Sequence, residues 1–331
     1  MSTKTQNTLS RILIRLPGES TWDLAANAAM EAGATVFRDA PAQGAAAVRT
    51  TPKAQATAAE VLIGAEWWTI DGAEGAIQGA VNGGARVWTE VRSSDEARAA
   101  VAAGTHGVVV CGSEGGGLVG DDTSLVLLRR VLQATSETVP VAVRGGVGPD
   151  TAAGCLAAGA DAVVLDVQLW AATDAPTSEA LRGRLDGFNP LDTACFGLEQ
   201  GFRFRTFGQL ATRAVREVQK LEGAGNISRS DLLAELDTRL ATDLTDVDLK
   251  NQLVPLGQDA AFAQPMASRW GSVAEIVVSL ATRIDKQLAG IHTSWPWAPG
   301  RGVAETNGTT LPFHQGPMAQ VADVPEFARA I

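Results

Sequence analysis

The run PVAVRGGVGPDTAAGCLAAGADAVVLD, residues 140–166, contains the alternation that decides the fold. An apolar segment, Val139–Arg144, ends in a glycine turn, and an alanine-rich segment, Pro149–Ala158, follows it. Gly159 then leads into a second apolar segment, Ala162–Asp166. Proline favours the first turn of a helix, and glycine commonly follows the last one. The run therefore predicts strand, helix, strand, with the two strands parallel and buried.

The same alternation extends outward through the first half of the chain and is most regular over Arg86–Trp170. Alternating strands and helices predict a parallel sheet with right-handed crossovers. We count seven strands, so the fold class is α/β, a (β/α)8 TIM-barrel-like fold with an incomplete or irregular first half. Ala45–Arg49 is the candidate for the missing strand. The other predicted strands are Ile12–Leu16, Thr35–Arg38, Val61–Ala65, Arg86–Val91 and Gly107–Gly112, and the other predicted helices are Trp22–Ala32, Ser94–Ala103 and Ser124–Gln133.

After about residue 185 the pattern changes to long amphipathic segments. Thr206–Leu221, Leu232–Leu240 and Ser272–Gln287 are predicted helices, and the Ser228–Asp231 stretch is a capping signal for the second of them. We therefore expect a barrel over residues 8–185, followed by a helical C-terminal appendage that serves as a connector over residues 186–290.

The last part of the sequence, residues 291–331, predicts a loop and the first βα unit of a second, truncated barrel. Trp295–Thr309 is rich in Pro, Gly and Thr, Leu311–Met318 is strand-like, and Val324–Ala330 begins a helix. We expect the sequence to be a fragment, with residues 311–331 packing poorly and sensitive to proteases.

Composition limits the classes of function. The 331 residues are 45% hydrophobic and 19% charged, which is typical of a globular protein. The formal net charge is −10 without a basic stripe, so nucleic acid is an unfavourable partner. The three cysteines are far apart and predict neither a zinc site nor disulfides, which suits a reducing cytoplasm. No segment approaches the roughly 20 apolar residues that a membrane helix needs, and the polar N-terminus does not resemble a signal peptide.

Two glycine-rich loops follow predicted strands. Glycines in Gly112–Gly120 and in Arg144–Gly148 allow close backbone approach, and their N–H groups can bind an anion. Phosphate sites of barrels tend to follow the last two strands, where the second loop lies. The alternative for each loop is a plain tight turn without a ligand.

Other candidates are weaker when considered alone. Glu90 and Glu114 are carboxylates at strand ends that can act as acid–base groups, but a solvated or capping role is favoured for each. Trp67, Trp68 and Trp88 lie at strand ends, where aromatic residues are usually core or interface anchors. His106 precedes a strand and is expected on the surface, and Cys111, at a strand end, is expected to be a small buried hydrophobic residue.

Three stretches together resemble the nitronate monooxygenase (2-nitropropane dioxygenase)-like family, which includes flavin-dependent enoyl-acyl carrier protein reductases. They are VVVCGSEGGGLVG at 108–120, the run at 140–166, and LPFHQGPMAQVADVPEFA at 311–328. The third is similar to the family's opening strand. His314 lies in that stretch, and it could line a flavin pocket or have a role in a loop or in strand pairing. LVPLGQDAAFAQPMASRWGSVAEIV at 253–277 resembles the connector between tandem barrels of polyketide and polyunsaturated-fatty-acid synthases.

The resemblance implies an FMN-dependent oxidoreductase that oxidises a nitronate or reduces an enoyl thioester. Its substrate would be a small molecule or an acyl thioester, and its partners would be other synthase domains. Gly116, Gly117, Gly145 and Gly146 would contact the flavin phosphate or ring through backbone N–H groups.

This sequence departs from the family pattern at three places. Leu118 stands at the position of the catalytic histidine and cannot transfer a proton. Asp166 and Val167 replace a Gly-Thr pair, which puts a carboxylate beside a phosphate, and Arg11–Pro17 lacks the Gln-Gly-Pro-Met element. The alternative function is therefore a catalytically degenerate, cofactor-free barrel that serves as a structural or docking domain. A barrel that binds another phosphorylated ligand without flavin is a third interpretation.

Overall fold

The computed structural model describes residues 8–17, 20–38, 47–50, 60–65, 72–135, 139–208, 212–293, 298–312 and 326. The chain divides into two compact units, residues 1–285 and residues 286–331. Trp67, Trp68 and His314 lie outside the described residues, as do nearly all of the predicted Leu311–Met318 strand and Val324–Ala330 helix. The protease sensitivity of residues 311–331 and the predicted domain boundaries stay predictions.

Eight strands of the first unit form a closed barrel. The last strand pairs with the first, with Val163 beside Ile12 and Leu165 beside Ile14. All seven predicted strands are confirmed to within two residues at each end, and the eighth lies where Ala45–Arg49 was expected. In ring order the barrel strands are β1 (Ile12–Leu16), β2 (Thr35–Arg38), β3 (Ala47–Thr50), β4 (Glu60–Ile63), β5 (Arg86–Val91), β6 (Gly107–Cys111), β8 (Val141–Arg144) and β9 (Ala162–Leu165), with β7 (Gly117–Val119) outside the barrel.

The irregularity expected in the first half is the orientation of β3. It runs antiparallel to both of its neighbours, with Val36 beside Thr50 and Ala47 beside Leu62, whereas the other seven barrel strands are parallel. Parallel neighbours need a crossover of about a dozen or more residues, but antiparallel neighbours do not. The links on either side of β3 are shorter than that, so an antiparallel third strand completes the barrel.

Helices link the remaining barrel strands. The predicted helices are confirmed as α1 (Asp23–Glu31), α3 (Ser94–Ala102), α4 (Ser124–Thr135) and α5 (Thr151–Ala157), while α2 (Ala73–Asn82) was not predicted. Ser93 begins α3 as an N-cap, since its side chain accepts a hydrogen bond from the Glu96 N–H.

The barrel interior has an apolar lower part and a charged upper part. Side chains alternate in direction along a strand, so a residue two places after an interior residue also points inward. The apolar part, against which Trp88 packs, includes Leu13, Phe37, Leu62, Val109, Ala142, Ala162 and Val164. Toward the carboxyl ends of the strands follow Arg15, Glu90, Cys111, Arg144 and Asp166, which we call the mouth layer.

The second half contains the expected helices together with a small antiparallel sheet that was not expected. β10 (Thr193–Phe196) and β7 flank β11 (Arg203–Phe207). The helix predicted from Thr206 was wrong at its start, because Thr206 belongs to β11 and the helix begins after the Thr212 cap. The helices are α6 (Glu179–Leu185), α7 (Arg213–Gly223), α8 (Arg229–Arg239), α9 (Ala263–Trp270), α10 (Val273–Thr293) and α11 (Val303–Asn307).

Candidate functional site

An ion-pair network crosses the barrel mouth. The Arg15 guanidinium on β1 lies 2.9 Å from Glu90 Oε1 on β5, and these two strands stand opposite each other in the eight-stranded ring. Arg144 Nη1 on β8 lies 3.7 Å from the same Glu90 oxygen. Arg144 Nε donates to Asp166 Oδ2 at 2.8 Å. Among the described residues, two guanidinium groups and two carboxyl groups are therefore linked in one network across this layer.

The charge of Glu90 follows from its partners. Only 1% of Glu90 is exposed, and burial alone would raise the pKa of its carboxyl. Arg15, Arg144 and the Ala65 N–H, which donates to Oε2 at 3.1 Å, outweigh that effect and lower the pKa. The pKa of Arg144 is raised, because Glu90 and Asp166 outweigh the effect of burial. Glu90 and Arg144 are therefore both ionised at neutral pH.

Arg144 fills the centre of the mouth. From β8 its guanidinium reaches Asp166 on one side and Cys111 Sγ on β6, at 3.8 Å, on the other. Its Nη2 also donates to the Gly116 carbonyl at 2.8 Å. Burial, with a further contribution from Glu90, raises the pKa of the Cys111 thiol to about 12. This thiol is therefore protonated and is a poor nucleophile.

The two glycine-rich loops meet at the edge of the mouth. The Gly112 N–H donates to the Arg144 carbonyl at 3.1 Å, and Ser124 Oγ donates to the Gly145 carbonyl at 2.7 Å. A Cβ at Gly145 would lie 2.8 Å from the Gly115 nitrogen, and the φ of Gly145 is +97°. The structure therefore brings the two loops into contact, and glycine is required at their closest approach.

Residues 253–262, which we call the covering segment, lie on these loops. A Cβ at Gly116 would stand 2.0 Å from the Pro255 carbonyl oxygen. The Gln258 N–H donates to the Glu114 carbonyl at 2.7 Å. Phe262 packs on the second loop, because a Cβ at Gly148 would meet its ring at 2.6 Å. The glycines of both loops thus allow close packing of protein against protein.

The covering segment carries a buried carboxyl group, Asp259, which is 1% exposed. Its Oδ2 accepts a hydrogen bond from Gln168 Nε2 at 3.0 Å, whereas Oδ1 makes none. Burial raises the pKa of Asp259 well above its ordinary value, and Asp166 raises it further. Arg144 and the Gly146 N–H act in the opposite direction without outweighing these effects. Burial and Asp166 therefore favour the protonated form of Asp259 more than in an ordinary aspartic acid.

The remaining sequence candidates have structural roles. Leu118 lies on β7 and packs against the apolar cluster that contains Phe204. Glu114 Oε2 accepts from the Ser124 N–H at 2.9 Å and from Ser124 Oγ at 3.0 Å, which is the capping role that was favoured for it. The same expectation for Glu90, a solvated or capping role, was wrong because Glu90 is enclosed by two arginines.

Three further expectations are confirmed. Cys111 is a small buried residue. Trp88 is a core anchor that packs in the barrel interior. His106 is exposed at the start of β6, where its Nδ1 accepts from the Val87 N–H at 3.1 Å. This is the end of the strand away from the mouth, so His106 takes no part in the candidate site.

Sequence reasoning missed four residues of the site. Arg15, Arg144, Gln168 and Asp259 were not named individually as candidates. For the first two a signal existed, since each is a charged residue at an inward position of an otherwise apolar strand. Among the described residues no group of three or more His, Cys, Asp or Glu side chains could hold a metal ion. Within the same residues, no helix has the length and apolar character needed to cross a membrane.

Comparisons with known proteins agree with this architecture. The family model described as nitronate monooxygenase matches residues 69–282. The structure of FabK from Thermotoga maritima covers 88% of this chain and 99% of its own, at 20% identity and a TM-score of 0.66, which shows a shared fold. No curated protein sequence gives a match.

Two further structures are similar over a smaller part of the chain. The nitroalkane oxidase from Streptomyces ansochromogenes covers 67% of this chain and 62% of its own, at 24% identity and a TM-score of 0.48. The enoyl reductase domain of MlnA, from the macrolactin biosynthesis cluster of Bacillus amyloliquefaciens, covers 64% and 70%, at 12% identity and a TM-score of 0.46.

Proposed function

Because the chain belongs to the nitronate monooxygenase family, we propose that it is an FMN-type oxidoreductase barrel that has become a cofactor-free structural or docking domain. We place it in a polyketide or fatty-acid synthase system, with other synthase domains as its partners. The resemblance of residues 253–277 and 311–328 to tandem-barrel synthases supports that setting. The observation that carries the proposal is the mouth layer, in which the buried Arg144 is paired with Glu90 and Asp166 and donates to the Gly116 carbonyl.

The residues around the glycine loops do not fit the phosphate of FMN. Asp166 and Asp259 adjoin the Gly145–Gly146 turn, and the Glu114 side chain would be 3.6 Å from a Cβ at Gly146. A phosphate dianion there would compete for space with these carboxyl groups, and it would be repelled strongly by any that is ionised. Arg144 offers little compensation, because it is already paired with Glu90 and Asp166.

The ring position and the proton-transfer position are also unsuited to flavin chemistry. A ring lying over the strand ends would have to displace the Arg144 guanidinium, which is 7% exposed. A general acid or base works best when its pKa lies near the operating pH. Glu90 is held ionised, Cys111 is held protonated, and Leu118 has no proton to exchange. None of these three residues is therefore suited to exchange a proton near neutral pH.

The test is the visible absorbance spectrum of the purified chain before and after incubation with FMN and desalting. We expect no retained flavin in protein whose circular dichroism and cooperative melting show that it is folded. An unrelated FMN-binding barrel, carried through the same steps, is the positive control. Flavin retained at one equivalent per chain would overturn the proposal.

A second candidate function is a flavin-dependent oxidoreductase that acts on a nitronate or an enoyl thioester. It is favoured by the position of the charged layer at the carboxyl ends of the barrel strands, where such barrels hold their active sites. Backbone N–H groups of Gly116, Gly117, Gly145 and Gly146 would then hold the flavin. Retained flavin followed by turnover of either substrate class would establish it. The third interpretation, another phosphorylated ligand, is opposed by the same carboxyl groups and can be tested by thermal-shift screening.

A further inference from the structure

Beyond the question of flavin, we infer that the Gly145–Gly146 turn and Gln168 form a closed pocket for a single carboxyl group, and that Asp259 is its built-in ligand. The pocket would accept a small monocarboxylic acid from solution once the Asp259 side chain is removed. The inference concerns what the glycine loop binds in this chain, and it can fail while the proposed function stands.

One wall of the pocket is the Gln168 side chain, which is completely buried. Its Nε2 donates to the Val147 carbonyl at 2.9 Å as well as to Asp259, and its Oε1 accepts from the Asp166 N–H at 2.9 Å. These bonds fix the orientation of the amide, so its second N–H points at the carboxyl whether or not a ligand is there. A donor fixed in this way without a partner carries a desolvation penalty, which a ligand oxygen removes.

The opposite walls are backbone. The Gly146 N–H interacts favourably with the ionised form of the Asp259 carboxyl. The covering segment closes the pocket tightly, because a Cβ at Gly257 would stand 2.3 Å from Asp259 Oδ1. There is consequently no space beside the carboxyl for a larger group, which limits an external ligand to the smallest acids.

Charge selects the form of the ligand. The charged groups that face the pocket are Asp166 and Arg144 from the strand ends and Glu114 from the first glycine loop. Asp166 raises the pKa of the occupant, and burial raises it more. A neutral acid is therefore favoured over a carboxylate, and a phosphate dianion is disfavoured twice, by its size and by its charge.

The experiment compares Asp259→Ala with Asp237→Ala, which removes an exposed carboxyl from α8. Each purified variant and the wild type are melted with increasing sodium formate, with sodium chloride matching the ionic strength, at pH 5 and pH 8. We expect Asp259→Ala to melt roughly 3–9 °C below the wild type, since it leaves buried donors unpaired. Formate should recover a large part of that loss at pH 5 and little at pH 8.

Equal formate effects in all three proteins, or no recovery in Asp259→Ala at either pH, would overturn the inference. Asp259→Asn keeps the test decisive if the alanine variant does not fold. Its amide fills the same space, so we expect it to fold, to melt within a few degrees of the wild type at neutral pH, and to ignore formate. An Asp259→Asn protein that responds to formate, or that is unfolded, would contradict a pocket shaped for one carboxyl group.

Discussion

Glu90 and Asp259 lie on two sides of the same barrel mouth, and each is 1% exposed. Glu90, on the strand side, has two guanidinium groups and an N–H directed at it, and its pKa is lowered. Asp259, on the loop side, has one amide donor and a carboxylate neighbour, and its pKa is raised. Equal burial thus accompanies pKa shifts in opposite directions.

The difference shows that partners, more than depth, decide the charge of a buried carboxyl. On the strand side the side chains come from barrel strands and form a network of ion pairs. On the loop side the acid comes from the covering segment, and its surroundings favour the protonated form. Family membership alone would suggest one polar site, whereas the structure has two regions with different electrostatics.

The largest expected effect on stability comes from removing the negative charge of Glu90. Glu90→Gln removes the carboxylate that both Arg15 and the buried Arg144 contact. Breaking a buried pair in this way costs about 3–5 kcal/mol of the free energy of unfolding. Urea denaturation followed by circular dichroism measures it, with the midpoint falling and the slope unchanged.

Asp95→Asn on α3 is the matched control, because it removes the same charge from an exposed pair with Arg98. An exposed pair of this kind is worth less than about 1 kcal/mol. A Glu90→Gln loss as small as that of the control would mean that the mouth is hydrated, and the contrast with Asp259 would then disappear.

A smaller loss of stability is expected when a side chain added at Gly116 forces the covering segment away from the glycine-rich loops. Gly116→Ala places a methyl group 2.0 Å from the Pro255 carbonyl oxygen, which belongs to backbone. Overpacking of this kind costs about 1–3 kcal/mol. Amide hydrogen exchange should also quicken in residues 254–262 while the barrel strands stay protected.

Gly75→Ala in α2 is the comparison, because a Cβ there has nothing within 4 Å. It should stabilise the chain by roughly 0.5–1 kcal/mol through helix propensity. Gly116→Ala would disprove the close packing if its stability and exchange matched those of Gly75→Ala.

The smallest effect is a difference in pH dependence. The raised pKa of Asp259 means that its stabilising contribution is present below the ordinary value of 3.8 and is lost as pH rises toward the raised value. Asp259→Asn should therefore gain stability relative to the wild type as the pH rises above 3.8 toward the raised pKa of Asp259.

Glu90 predicts the opposite direction, since a lowered pKa contributes stability above its ordinary value that is lost as pH falls. The loss of stability caused by Glu90→Gln should thus become smaller as the pH falls. Melting curves of Asp259→Asn, Glu90→Gln and the wild type, recorded from acid to alkaline pH, compare how the stability of each protein depends on pH. Parallel curves for all three proteins would remove the distinction between the two sides.

The barrel itself was largely readable from the sequence. Its strands are short apolar runs bounded by glycines, as in Gly107–Cys111 and Ala162–Leu165, and both were predicted with nearly correct limits. Even the orientation of β3 follows from link length, because the short links around Ala47–Thr50 leave too few residues for a crossover helix.

The small sheet and the loop side were not readable in the same way. Gly117–Val119 was interpreted only as part of a glycine loop, and its strand character depends on pairing with Arg203–Phe207 far along the chain. Asp259 meets Gln168 across 91 residues of sequence, so no local pattern predicts that contact. The charged residues Glu90 and Arg144 were visible, but their proximity depends on how the barrel closes.

That closure has a consequence for synthesis on the ribosome. β1 cannot gain its second neighbour until β9 has been made, because Leu13 pairs with Val164. At about 5–20 residues per second, the growing chain would have one unpaired edge on β1 for roughly seven to thirty seconds. Unpaired edges are where nascent sheets associate wrongly. A chaperone that binds extended apolar segments would therefore find its natural target in the N-terminal strand rather than in the later, faster-closing part of the barrel.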